Sequence, residues 1–535
     1  MYDIVIRNAN IIDGSGKPAY GADVAVDQGR IADIGDLSSS SAGDVIDVEG
    51  LVVTPGFIDM HSHADFSLPV WPTADSMLHQ GITTAVVGQC GLSPAPLLDE
   101  SREEVVAALN GFFGEFVKNV PWQEWSSMGD YLNFLTRQGV SPNVLQLVGQ
   151  GIIRASIMGL GEGSADRDQI AKMQDQVAEA MAQGAIGLST GLIYPPGSFT
   201  STEELIALTQ TVGERNGYYF SHIRGEGDTL LEAVEEAIRI GRETGAPVQI
   251  SHFKAAREDN WHKSAKALEL IEGAQAKGLD VTADVYPYLA GSTSLVTMLP
   301  QWAHVGGPAE ILKRLTDPET RTKMVTDMQT GGFARGVAWS SVLITSSPNK
   351  REYEGCYVSD LAARTNSNPY DWVFDALVET QLDMGMALFG MSEENRLREI
   401  QFPAMMICTD GYGLANTGPL AKGVPHPRNY GAFPRVLGRY TRDLNVLSLE
   451  QAVYKMTGLP AKKLRLEDRG MIVPDFAADL VVFDPAVVSD TATYDNPHQY
   501  PAGIYHVLVN GQWVIRDGSH TGARPGAVLR IGKKS

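Results

Sequence analysis

Over the first 53 positions apolar residues recur at every second place, the period of a strand with one buried face. Three short strands are predicted there, over 2–13, 23–35 and 44–53. The second is a hairpin in which Val24-Ala25-Val26 turns back through Asp27-Gln28-Gly29-Arg30. The C-terminal end has the same texture. Ala478–Asp484 reads as a strand, and His506–Ile515 as a hairpin folded at Asn510-Gly511, a residue pair that accepts left-handed backbone. Neither end has enough strands to bury a face by itself. The two ends are therefore predicted to pair into one small β-sandwich, built from 1–53 and 468–535.

Between them, over 54–467, the pattern changes. Short continuous apolar runs alternate with longer stretches of helical period, the signature of a parallel sheet built from strand–helix units. The candidate strands are Gly56–His63, Thr83–Gly91, Asn143–Gln150, Ala185–Thr190, Tyr218–Arg224, Pro247–Lys254, Asp280–Tyr286 and Ala404–Asp410. Helices are predicted over 166–183 and 228–244, each behind an aspartate cap. Residues 292–403 interrupt the rhythm, and a stretch that long is not a structureless loop. It holds helical patterns, aromatics and a strand-like Val337–Ile344, so a structured insertion over the barrel mouth is expected. The fold class is α/β: a (β/α)8 TIM-like barrel with a small β-sandwich formed by both chain ends.

Charge narrows the partners. A formal net charge of −21 disfavours nucleic acid and anionic membrane surfaces, which need cationic partners. Three cysteines in 535 residues make no disulfide framework. The chain opens on an amphipathic strand rather than a signal sequence, and no run approaches a membrane span. The expectation is a cytoplasmic protein that acts on a small molecule, with no particular oligomeric state specified.

Candidate chemistry clusters at strand ends, where barrel active sites lie. His61 and His63 are two apart at the end of the first strand and share a face, so both imidazoles can reach one metal. Asp59 is on that face too, placed to accept an imidazole N–H. Cys90 ends the second strand, His222 the fifth and His252 the sixth. One cysteine and two histidines with an open fourth position make a catalytic zinc arrangement. Asp410 ends the last strand and can ligate metal or act as general base. Cys408, two residues earlier, is read as core. The remaining histidines, His426 and His304 among them, lie off strand ends and read as structural.

These residues resemble the amidohydrolase superfamily, and most closely its N-acyl-D-amino-acid deacylase (D-aminoacylase) branch. The likeness runs through Pro55–His63, Gly81–Cys90, Thr190–Gly197, His222–Glu226, Ser251–Lys254 and Asp284–Tyr288 to Gly470–Pro474 and Ala478–Phe483. Other branches bridge two metals with a modified lysine on strand four, but here that strand reads Ala185–Thr190 without one. The resemblance implies that Cys90, His222 and His252 hold a tight Zn2+, while His61, His63, Cys90 and Asp410 outline a second site, weakly filled or empty. It implies zinc-dependent hydrolysis of the amide bond of N-acyl-D-amino acids, with activated water as nucleophile and Asp410 passing its proton to the departing amine. It favours Lys254, Tyr194, Tyr286 and Ser292 as contacts to the substrate carboxylate. Arg224 stands with them, or else pairs with Glu226 as scaffolding. The alternative is a superfamily hydrolase of another amide, a carbamate or a cyclic amide, bulky or aromatic. Phe112, Phe113, Phe116, Trp122 and Trp125, with Trp302, Trp339, Tyr370 and Trp372 of the insertion, would favour such a substrate if they face the site.

Overall fold

The computed structural model describes residues 1–113 and 115–530, without the side chains of 111, 115 and 116, so Phe116 lies outside the described residues. The barrel strands, numbered here in chain order, are β1 (Phe57–Asp59), β2 (Ile82–Val87), β3 (Asn143–Gln146, continued by Val148–Gly149), β4 (Gly187–Gly191), β5 (Tyr218–His222), β6 (Val248–Ile250), β7 (Val281–Val285) and β8 (Met405–Ile407). They pair in parallel as two arcs, β1-β2-β3 and β3-β4-β5-β6-β7-β8. The arcs share the β3 segment. At the other seam they meet through an isolated Ser62–Gly411 bridge, with Asp410 N–H donating to the His61 carbonyl at 2.8 Å. That seam joins the first and last metal-type residues of the sequence.

Alternation sets the two faces of each strand. Ile58, Val86, Leu145, Tyr218, Phe220 and Met406 share one interior cluster. Phe57, Ala85, Val144, Tyr219 and Ile407 belong to the larger core with the surrounding helices. The helix Arg167–Gln183 starts on a capping box, Asp166 and Gln169 satisfying each other's backbone N–H. The second expected cap is different. The helix Leu230–Thr244 begins after Thr229, and Asp228 instead pairs with Arg257 and Arg335.

Both chain ends join one nine-stranded sheet, with Leu480–Phe483 running antiparallel to Val52–Pro55. Leu480 and Val482 face a core with Ile4, Ile6 and Val24, whereas Val481 and Phe483 face the barrel. The expected strand over 44–53 is two strands, Ala42–Asp47 and Val52–Pro55. Gly50 between them holds a left-handed φ of 82°. The tail leaves the sheet: Val144 of β3 donates to Ala527 and accepts from Leu529.

The insertion's own sheet spans 290–389, starting two residues before and ending short of the expected 292–403. Its three-stranded antiparallel sheet runs from Ala290–Ser294 to Gly385–Phe389, with Val342–Ser346 on the far edge. It has its own apolar core, including Leu295, Leu315, Val342 and Phe374. Glu393–Gln401 is a crossover helix leading into β8, held to the helix Lys263–Gln275 by Ser264 and Glu399 at 2.9 Å. Among the described residues no helix is long and apolar enough to cross a membrane.

Candidate metal centre

The strand ends bring Cys90, His222 and His252 together. The Cys90 Sγ lies 3.5 Å from His222 Nδ1, 3.5 Å from His252 Nε2 and 3.4 Å from His61 Nε2. Zinc bonds of about 2.3 Å to sulfur and about 2.0 Å to nitrogen at a tetrahedral angle separate the two ligand atoms by about 3.5 Å. The donor set therefore fits zinc in chemistry and spacing. Burial, the largest influence on all three, draws His61, His63 and His222 below the ordinary imidazole range and leaves neutral lone pairs. Burial also pushes the Cys90 thiol up, so a thiolate there needs a cation beside it. His61, His63 and Cys90 form a second group, and His61, His252 and Asp410 a third, each within 4.8 Å.

Backbone conformation places these groups. Cys90, His252 and Asp410 hold φ of 56°, 35° and 49°, a region that side-chain-bearing residues seldom occupy. His252 has the sequence parity of outward-facing Ile250, and the left-handed turn re-aims it toward the centre. Cys90 is fixed by its neighbours. A Cβ on Gly191 would stand 2.1 Å from the Cys90 carbonyl oxygen, so only glycine allows that approach. Ser189 of β4 accepts from Gly91 N–H at 3.1 Å and donates to the Gly88 carbonyl at 2.5 Å. The strand without a lysine thus braces the cysteine loop.

Carboxylates surround the ligands. Glu226 Oε1 lies 3.1 Å from His252 Nδ1, 3.6 Å from His222 Nε2 and 2.5 Å from Lys254 Nζ. Burial would raise its carboxyl, yet Lys254 and the two imidazoles hold it far below the usual range. The Asp59 expectation is corrected: Asp59 accepts the backbone N–H of His61 and Thr409, not an imidazole N–H. His61 Nδ1 faces Asp284 instead, at 3.9 Å, and Asp284 also accepts the His252 N–H at 2.7 Å.

Asp410 Oδ1 is 3.5 Å from His61 Nε2 and 3.4 Å from His63 Nε2, and its Oδ2 pairs with Arg428 Nη1 at 2.7 Å. Burial opposes its charge, but the Arg428 guanidinium and then His252 and His63 leave it well below the usual carboxylate range. Arg428 also donates to the Ser292 carbonyl at 3.3 Å and stacks over Tyr286 at 4.8 Å. His426 accepts its backbone N–H at 3.0 Å. Neither residue ends a strand, and no sequence signal placed them here. Cys408 is fully buried in the barrel core.

A cavity of about 750 Å³ opens over this centre. Lys254, Tyr194, Tyr286, Ser292 and Arg224 all line it, as do His426 and His304. Tyr194 packs its edge on His222 at 5.0 Å and hydrogen-bonds to Thr293 at 3.2 Å. Lys254 is buried, 5.6 Å from the Tyr286 ring. Arg224 pairs with a glutamate, but with Glu236 at 2.9 Å rather than Glu226. Of the aromatics singled out above, Phe112 and Phe113 face the cavity. Trp302, Trp339, Tyr370 and Trp372 belong to the insertion's own core.

The Amidohydrolase family profile matches residues 44–397 and 418–515. The D-aminoacylase of Alcaligenes xylosoxydans xylosoxydans is 37% identical over 528 residues, covering 99% of this chain and 97% of that protein. This chain is a member of the amidohydrolase family, in its D-aminoacylase branch. A D-aminoacylase structure described for its binuclear metal centre superposes with a TM-score of 0.84 at 38% identity, covering 99% of this amidohydrolase and 100% of that chain. An N-acyl-D-glutamate deacylase from Bordetella bronchiseptica, complexed with zinc and a phosphonate mimic of the tetrahedral intermediate, gives 0.84 at 35% identity, covering 99% of each chain.

Proposed function

We propose that this amidohydrolase cleaves the amide bond of N-acyl-D-amino acids, releasing a carboxylate and a free D-amino acid. One observation carries the reading: Cys90, His222 and His252 converge at zinc-ligand spacing beneath a cavity that Asp410 also faces. The similarity to D-aminoacylase over nearly the whole chain supplies the substrate class. Cys90, His222 and His252 would hold the tight zinc, with His61, His63, Cys90 and Asp410 as the second, weaker site. Zinc, when bound, lowers the pKa of a water to about 7 and polarises the amide carbonyl.

The chain's own groups do the rest. Asp410, kept ionised by Arg428, accepts the proton of the attacking water and delivers it to the departing nitrogen. Lys254, with Tyr194, Tyr286 and Ser292, binds the substrate carboxylate: its ammonium contacts Glu226 Oε1 and His252 Nδ1 and keeps one donor to spare. Arg224, locked on Glu236, braces the loop after β5 rather than the substrate. Residues 1–53 with 468–535 make one domain and 54–467 the other in this reading, which the separate apolar core of the end sheet supports. A cytoplasmic enzyme without nucleic-acid or membrane partners fits the net charge of −21.

The test is amine release by zinc-loaded protein from matched N-acetyl-D- and N-acetyl-L-amino acids. Release from the D series alone is expected. Zinc-loaded protein that cleaves neither series would overturn the assignment.

A further inference from the structure

His426 is buried in the loop after β8, and both of its ring nitrogens have fixed partners. Burial, and then the Arg428 charge, holds it well below the ordinary imidazole range, so the ring is neutral. Nδ1 accepts the Arg428 backbone N–H at 3.0 Å, which puts the one ring proton on Nε2. Nε2–H donates to the Ala290 carbonyl at 2.9 Å, and the Tyr494 hydroxyl oxygen lies 3.1 Å from the same nitrogen. One imidazole therefore ties two segments that are far apart in the chain. Arg428 reaches from the first to Asp410 and to the Ser292 carbonyl. Ala290 begins the second, the insertion strand that carries Ser292 to the cavity wall.

Tyr494 comes from the end sheet. The chain between Phe483 and Ile504 leaves that sheet through a Ser489–Ala502 bridge and reaches the barrel mouth. There the Tyr494 ring packs on His426 at 5.0 Å and on Phe389 of the insertion at 4.7 Å. Asp490 of the same segment accepts the Tyr288 hydroxyl at 3.2 Å and pairs with Arg435 at 2.8 Å. We infer that His426 is a positioning residue for this reaction and that Tyr494 is its brace from the other domain; this rests on Asp410 being the proton carrier, as in the reading above. His426 acts through Arg428. Without Nδ1 the buried Arg428 N–H loses its acceptor, and the backbone there must shift to find another. A shift of about 1 Å carries the guanidinium off the Asp410 carboxylate, and misplacement of that size costs about a hundredfold in rate. The tie to Ala290 makes the same imidazole set where Ser292 stands.

The experiment is steady-state kinetics of zinc-loaded wild type, His426→Ala, His426→Asn and Tyr494→Phe. The substrate is the N-acetyl-D-amino acid that the wild type cleaves fastest, and zinc content and Tm are measured on each protein. His426→Ala should lower kcat by about ten- to a hundredfold at full zinc content and raise KM by a smaller factor. His426→Asn, whose side-chain carbonyl accepts the Arg428 N–H, should recover about tenfold of that loss. Tyr494→Phe keeps the ring but not the hydroxyl, and should lower kcat by about two- to fivefold. Wild-type kcat in His426→Ala or in Tyr494→Phe would overturn the inference. So would a loss in which zinc content, Tm and kcat fall together at unchanged KM and His426→Asn restores nothing. Should His426→Ala not fold, Tyr494→Phe still decides. An inactive wild type would overturn the deacylase reading as well; fully active variants would overturn this inference alone.

Discussion

The metal centre and the insertion above it are built by opposite means. The ligands stand on ends of parallel strands buried on both faces, and three site residues hold left-handed backbone there. The insertion carries its own sheet and core and offers the centre side chains from a strand edge and connecting loops. Glycines at 331, 332 and 336 surround Phe333, and Gly332 and Gly336 hold left-handed φ of 71° and 68° in open space. One region is fixed from several strands at once, the other packs about its own core. The difference teaches that the residues set for the chemistry and those that form the outer cavity wall come from separate parts of the fold.

The largest effects should come from the centre. Cys90→Ser or His252→Ala should lose zinc by metal analysis and amine release by about a thousandfold or more, and chelation of the wild type should do the same until zinc is restored. An insertion variant that shed zinc would break the comparison. Asp410→Asn should keep zinc at the Cys90 site yet lower kcat by about a hundredfold to ten-thousandfold. Glu226→Gln, which keeps the shape but removes the charge behind two imidazoles and Lys254, should weaken zinc affinity or activity by about ten- to a hundredfold.

Substitutions above the mouth should be gentler and change a different parameter. Phe333→Ala should retain zinc and raise KM for bulky substrates by about three- to tenfold with kcat largely kept. A fall in kcat of the Asp410→Asn kind would instead make the insertion part of the catalytic apparatus. The smallest effect lies behind the barrel. Lys455 is buried against the Phe402 and Met405 carbonyls, and burial lowers its pKa to about 8. Its folded value is below its unfolded one, so the penalty for its charge is full below pH 8 and fades as pH rises toward about 10. Denaturant titrations of wild type and Lys455→Met should show the wild type gaining on the variant over that window. A constant difference would mean that Lys455 keeps its ordinary pKa in the fold.

Much of the site was readable because barrel chemistry sits where strands end. His61, His63, Cys90, His222, His252 and Asp410 each close an apolar run, so the periodicity that finds the strands finds them too. The sheet from the two ends was readable for the same reason, since alternation marks half-buried strands wherever they fall. Arg428 and His426 lie in a loop after the last strand, where no period marks them. Asp284 and Glu226 were visible only as members of motifs; their partners come from other strands. The exchange of Glu236 for Glu226 at Arg224, and of Asp284 for Asp59 at His61, shows the same limit: spacing says which residues share a face, not which partner across it is nearer.

The sequence by itself determined the barrel order, the metal-type residues at its rim and the absence of a strand-four lysine, because those depend on local period and residue type. Only the tertiary structure decided that Cys90, His252 and Asp410 turn inward through left-handed backbone, that Arg428 reaches the Asp410 carboxylate, and that Arg224 is held by Glu236. Those outcomes depend on distances between segments far apart in the chain, fixed by packing and closure rather than by any pattern along it.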